Sequence, residues 1–234
     1  MNKEELKLNL EKIGLVPTDE QVDMLELFMY ETLKANEQFN LTAIKDENKF
    51  RELMILDSAY PLKYFNFDDK KVLDVGTGAG YPGMVLATLS DGQFTLLDST
   101  RKKVDFYGNF SAKNQYFNVN PVCDRAESYA RKHREEYDYA VARAVADLSV
   151  LLELILPTLK VNGYFIALKG SKAFEEIENA KIAFKKLGAI VEQIDEYELP
   201  ESGEKRINII IKKITQTPAK YPREYTQIVH GFRL

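Results

Sequence analysis

The segment VLDVGTGAGYPG, residues 72–83, constrains the fold of this chain more than any other stretch. A short apolar run leads into Gly76, Gly78, Gly80 and Gly83, and then into a helix-length segment. Such a sequence reads as a strand bending sharply into a helix, because residues without side chains let the backbone turn tightly and let a ligand approach it. Pro82 suits the first helical turn, where its missing N–H costs little. From Lys71 onward the alternation repeats. Apolar runs at 71–75, 93–97, 119–123, 137–142 and 163–168 are separated by candidate helices at 81–90, 100–113, 125–135 and 147–158. Parallel neighbours need crossover connections, so the expected architecture is a doubly wound α/β sheet with helices on both faces. A helix at 172–187 precedes two last runs, 189–199 and 206–213, which only the short PESGEK joins. These predict an antiparallel hairpin.

The first 65 residues read differently. Leu6, Leu10 and Ile13 fall at helical spacing ahead of Gly14 as C-cap, and Thr18 with Gln21 resembles a capping box opening a long helix. A further helix is expected over 47–62, ending near Pro61. Two parts follow: a helical N-terminal extension, 1–65, and an α/β domain, 66–234. No apolar run approaches the roughly 18–20 residues that span a bilayer, and MNKEELKLNL has no signal-peptide core, which points to the cytoplasm. Cys123 stands alone, and His133 and His230 lie far apart without cysteine neighbours, so neither a disulfide nor a metal site is expected. Charge is uneven. Residues 1–60 hold 7 Lys/Arg against 13 Asp/Glu, a net of −6, whereas 205–234 hold 7 against 1, a net of +6. A basic end of this kind is a pointer to an anionic partner, although a basic surface strand flanked by lysines is more often a solvated edge.

The glycine turn implies a nucleoside ligand once the next strand is considered. That strand ends in Asp98, 20 residues after Gly78, where an acid accepts hydrogen bonds from two ribose hydroxyls. NAD enzymes and S-adenosylmethionine enzymes share this device, and Gly78, Gly80 and Gly83 even satisfy G-x-G-x-x-G. Three features favour the methyl donor. Asp74 beside the turn suits a cationic sulfonium with an amino group and would be a poor neighbour for pyrophosphate. The chain leaves no room for a second dehydrogenase domain. The terminal hairpin also matches the sheet of Rossmann-like class I methyltransferases, seven-stranded and mostly parallel. After the third strand, Ala126 and Glu127 stand where this fold covers the adenine; Glu127 reads equally as a first-turn acid on a helix dipole.

The residues after the fourth strand, VARAVAD, lack the Asn/Asp-Pro-Pro-aromatic tetrapeptide common in exocyclic amino methylation. Cys123, at the end of the third strand, reads as a small buried residue rather than a covalent nucleophile. A ring nitrogen such as guanine N7 already has an available lone pair. It needs no general base, only alignment, which by itself can supply on the order of 7–11 kcal/mol.

NLTAI (40–44), DVGTGAGYPG (74–83), LLDSTRKKVDF (96–106), RAE (125–127), ARAVADL (142–148), LKG (168–170) and YPR (221–223) together resemble the RsmG (GidB) family of bacterial methyltransferases. The likeness runs from about residue 36 to 223. It implies S-adenosylmethionine as cofactor, guanine N7 of 16S ribosomal RNA as target, free or in the small ribosomal subunit, and a monomeric enzyme without metal. It also implies that Gly76 and Tyr81 line the methionine part of the cofactor, Asp98 the ribose, Ala126 and Glu127 the adenine. Arg143 would stand at the mouth, holding a phosphate or the guanine edge and positioning the substrate without a general base; a surface salt bridge is its plainer reading. Lys169 and Arg206, and more weakly Lys102 and Lys103, would be RNA backbone contacts. After YPR the family continues with a Gly/Pro/Lys-rich tail, whereas this chain reads EYTQIVHGFRL. A small-molecule methyltransferase and a cofactor-binding module without turnover are the competing readings.

Overall fold

The computed structural model describes residues 1–232; Arg233 and Leu234, counted above in the basic end, lie outside the described residues. Seven strands form one sheet in the order β3-β2-β1-β4-β5-β7-β6. They are β1 (Lys71–Val75), β2 (Gln93–Asp98), β3 (Val119–Cys123), β4 (Tyr137–Arg143), β5 (Leu159–Lys169), β6 (Ala189–Glu198) and β7 (Lys205–Lys213). The first five are parallel, and β7 runs antiparallel to both β5 and β6, closing the expected hairpin. Strand order reverses at β1, which has β2 on one side and β4 on the other. Ligands in open α/β sheets bind outside the carboxyl ends of strands at such a point.

Alternation along the strands sorts side chains onto two faces. Leu73 and Val75 of β1, Ala140 and Ala142 of β4, and Ile207, Ile209 and Ile211 of β7 join a core with α9 (Leu148–Ile155) and α11 (Lys181–Leu187). The intervening Val72, Val141 and Ile166 face the second core, which also contains residues of α6 (Gly83–Leu89) and α7 (Arg101–Lys113). Pro121 lies in β3, the edge strand beside β2, and an edge tolerates a residue with no N–H to donate.

The first 65 residues pack into that second core: Leu6 and Leu10 of α1 (Lys3–Lys12) and Leu25, Phe28 and Met29 of α2 (Asp19–Phe39) are buried with Tyr81, Met84 and Phe94. Their caps follow from the sequence. The Thr18 hydroxyl accepts the Gln21 amide, and the Gln21 side chain accepts the Thr18 amide. Gly14 lies just beyond the α1 C-cap, Ile13, with φ +91°; its amide and that of Leu15 donate to Glu11 and Leu10 carbonyls, a Schellman closure.

Three elements differ from their sequence readings. The helix expected over 47–62 is α3 (Glu47–Phe50), a π-helical stretch (Arg51–Leu56), α4 (Asp57–Ala59) and α5 (Pro61–Tyr64). The helix expected over 172–187 divides at Ala180 into α10 (Ala173–Asn179) and α11. Strand β5 begins at Leu159 rather than Gly163, continuing through Asn162 at φ +69° opposite a register shift in β4. Gly163 sits in that irregularity because a Cβ there would lie 2.8 Å from the Asp138 carbonyl.

Candidate active site

A cavity of about 530 Å³ opens at the carboxyl ends of the central strands. Its floor is the turn from β1 to α6, clasped to β2 by the Gly76 and Thr77 amides, which donate to the Leu97 carbonyl at 2.8 and 3.2 Å. Gly76 has φ +71°, and a Cβ there would lie 2.6 Å from the Val145 side chain of the facing β4 loop, so any other residue would be strained and would displace Val145. Asp98 stands on the wall. Its Oδ2 accepts the Gly78 amide at 3.0 Å and its Oδ1 the Thr100 amide at 2.8 Å, leaving further lone pairs for a ligand. Tyr81, stacked on Phe28 with ring centroids 5.0 Å apart, and Ala126 and Glu127, at the start of α8 (Ala126–Lys132), also border the cavity. Glu127 Oε1 accepts from Arg125 Nε at 3.2 Å.

Two of the glycine-turn residues expected at the ligand lie elsewhere. Gly80 does not border the cavity; its φ of +101° and the Phe28, Met84 and Tyr107 side chains around it make it a packing glycine. Asp74 is buried beneath the turn, where Oδ2 accepts the Gly83 amide at 2.7 Å and so caps the start of α6. Its Oδ1 has no hydrogen-bond partner among the described residues. Burial pushes this carboxyl up to about 6, against the opposing pull of the Gly83 amide. The native state therefore keeps a proton that the unfolded chain has already lost. This contribution favours folding at the acid end and is lost as pH rises from about 4 to about 6, a change of about 3 kcal/mol. Asp74→Asn is expected to remove that slope. Urea titrations of the ligand-free protein between pH 4 and 7 check it, and parallel curves for the two proteins would refute it.

A second cavity, about 670 Å³, adjoins the first. The two share Met54 and the segment Arg143–Ala146. Ala144 holds φ +53°, an uncommon conformation for a residue with a Cβ, and such residues concentrate at functional sites. Lys169 supports this segment. Its ammonium is buried, 2.7 Å from the Ala146 carbonyl and 2.6 Å from Glu176, so the expected phosphate contact is in the fold a strut of the loop. Arg143 is likewise engaged: it donates to the Leu53 carbonyl at 3.1 Å and Ser58 Oγ at 3.0 Å, and lies 3.7 Å from Asp57. Burial draws its guanidinium below the ordinary value, opposed by Asp57 and Asp74.

Asp57, a residue the sequence reading did not single out, is the hub of this wall. It also accepts from Tyr197 at 2.8 Å and lies 3.5 Å from Arg206, which pairs with Glu204 as well. One carboxylate thus joins the N-terminal helices to β4 and to both strands of the hairpin. Lys103 borders the first cavity, whereas Lys102 lies over the Phe39 ring at 5.8 Å, outside both. Much of the basic end is engaged internally too, with Lys213 fully buried on the Leu159 carbonyl and Glu135.

The site fits S-adenosylmethionine. The Asp98 and Glu127 carboxylates on the wall suit a cationic nucleoside, and at Gly76, with φ +71°, the backbone itself forms the floor. Fold and site together define a Rossmann-like methyltransferase of the S-adenosylmethionine-dependent class. Solved structures share the fold. An S-adenosylmethionine-dependent methyltransferase from Aquifex aeolicus superposes with a TM-score of 0.54 at 18% identity, over 72% of this chain and 94% of that one. The TYW2 protein of M. jannaschii, solved with AdoMet, gives 0.53 at 17% identity, over 64% and 72%.

The family is resolved by sequence. Residues 21–207 match the family model described as rRNA small subunit methyltransferase G. Relatives named ribosomal RNA small subunit methyltransferase G are 42% identical in Alkaliphilus oremlandii, over 95% of both chains, and 38% identical in Bacillus cytotoxicus, over 96% of this chain and 95% of that one. The chain belongs to the rRNA small subunit methyltransferase G (GidB) family.

Proposed function

We propose that this protein transfers the methyl group of S-adenosylmethionine to N7 of a guanine in 16S ribosomal RNA, acting as a cytoplasmic monomer. One observation carries the choice of nitrogen: among the described residues, Met54 and Arg143–Ala146, which both cavities share, include no His, Cys or carboxylate, and Asp57 beside them is taken up by Arg143, Arg206 and Tyr197. A guanidinium remains protonated and cannot serve as a base. A nucleophile that brings its own lone pair, as a purine ring nitrogen does, suits this boundary. The bound cofactor supplies an electrophilic methyl group on a sulfonium.

The chain's residues then do three things. Asp98, Ala126, Glu127 and the Gly76–Gly78 turn hold the cofactor in the first cavity. The second cavity receives an unstacked base, since chemistry on a base requires it to leave the stack. Arg143 and Arg206, oriented by Asp57, present cationic groups there to the guanine edge or a neighbouring phosphate. The names of the relatives support a small-subunit ribosomal RNA target.

Incubation with methyl-labelled S-adenosylmethionine and 16S RNA or small subunits tests the proposal. Label is expected in RNA at a single guanine that borohydride and aniline then cleave, the chemistry of N7-methylguanosine. Transfer should fall steeply between 50 and 200 mM salt, because phosphate contacts release counterions. Labelled RNA resistant to aniline would refute N7, and salt-indifferent labelling of a small molecule alone would refute RNA.

A further inference from the structure

The segment following YPR departs from the family pattern, and the cofactor assignment gives it no role. In the fold it reaches the first cavity. Tyr225 opens a short helix, α12 (Tyr225–Val229), and borders the cavity at the end formed by Asp124, Arg125, Ala126 and Glu127. One face of its ring carries the Arg125 guanidinium, 4.7 Å from the ring centroid.

The position is built rather than incidental. Arg223, two residues earlier, binds the buried Glu153 through its backbone amide at 2.8 Å and its guanidinium at 2.7 and 2.9 Å. Glu224 pairs with Arg131 of α8 at 2.7 Å and caps α12 with Gln227. Ile228 is buried in the core beside α9. With so many anchors on either side, Tyr225 is still 37% exposed. An aromatic face held open at the mouth of a cavity, beside the residues assigned to adenine, is what a purine stacks on.

We infer that Tyr225 is a cofactor-binding residue, the aromatic wall of the adenine end, backed by Arg125. The inference rests on the cofactor occupying this cavity. The wall meets only the purine, so its loss should weaken every ligand carrying adenosine to the same degree, whatever stands at the 5′ position. Tyr225→Ala is expected to raise the dissociation constants of S-adenosylhomocysteine and of 5′-methylthioadenosine by about tenfold each, the usual scale for one lost base–aromatic stack. Tyr225→Phe, which keeps the ring, should stay within about twofold of the parent.

Calorimetry with both ligands reads these changes. The chain contains no tryptophan, so Tyr225→Trp supplies a single emitter whose fluorescence should be quenched as S-adenosylhomocysteine binds. If the parent binds and Tyr225→Ala binds equally well, or if saturating ligand leaves the Tyr225→Trp emission unchanged, the wall is refuted and the cofactor assignment stands. A parent that binds neither ligand refutes both.

Discussion

Asp98→Ala is expected to weaken S-adenosylmethionine binding by about a hundredfold. Two effects combine. Asp98 is the acid at the end of β2 that the proposed function gives to the ribose hydroxyls, and hydrogen bonds to a charged group contribute about 1.5–3 kcal/mol each. The same carboxylate orders the floor, since each oxygen accepts a backbone amide, from Gly78 and from Thr100. Its loss therefore removes ligand contacts and also releases the turn that shapes the cavity. Together these reach about 3 kcal/mol, or two decades in the dissociation constant. Asp98→Asn keeps the shape and one acceptor, so it should lose about tenfold. Calorimetric titration of the three proteins decides it; an alanine variant within threefold of the parent would remove Asp98 from the binding machinery.

The sheet was legible because it rests on local signals. The order of strands along the chain, the glycine turn and the short connection before β7 follow from residues adjacent in the chain, and only the early start of β5 at Leu159 departs from the expected strand bounds by more than a residue. The N-terminal capping box was legible for the same reason. Within the fold, the readings that shifted are those that depend on what packs from elsewhere. Asp74 looked like a ligand partner because it precedes the glycines, but a strand residue pointing to one face of the sheet is buried there when α6 docks across it. Gly80 looked like Gly78, and the approach of Phe28 from α2, with Met84 and Tyr107, distinguishes them.

Long-range partners were hidden altogether. Asp57 sits in a run that reads as ordinary amphipathic helix, and its role exists only because β4, β6 and β7 bring Arg143, Tyr197 and Arg206 to one carboxylate. Lys169 carried a signal of the right kind, a cation after a strand, but nothing local announces Glu176 and the Ala146 carbonyl waiting beside it. Charge counted along the sequence overstates what faces solvent. The +6 of the last 30 residues includes Arg206, Lys213 and Arg223, each paired with an acid in the fold.

Arg223 gives the sharpest test of that distinction. A cation in a basic tail would, as a phosphate contact, lower RNA affinity and the salt slope when removed, with stability unchanged. The structure makes the opposite forecast. Glu153 lies in α9 with its side chain 0% exposed, and Arg223 holds both its oxygens. Removing one partner of a buried pair leaves the other charge uncompensated, at a cost of about 3–5 kcal/mol. Arg223→Ala retains the backbone amide donor to Glu153, so the lower figure applies, and the melting temperature should fall by roughly 10 °C for a chain of this size. Adding Glu153→Gln to that variant removes the stranded charge and should restore much of the loss, because a neutral amide is far less costly to bury. Thermal melts of the parent, the single and the double variant measure this directly. An Arg223→Ala protein that melts with the parent but binds RNA with a shallower salt dependence would return Arg223 to the surface and undo the anchor on which Tyr225 depends.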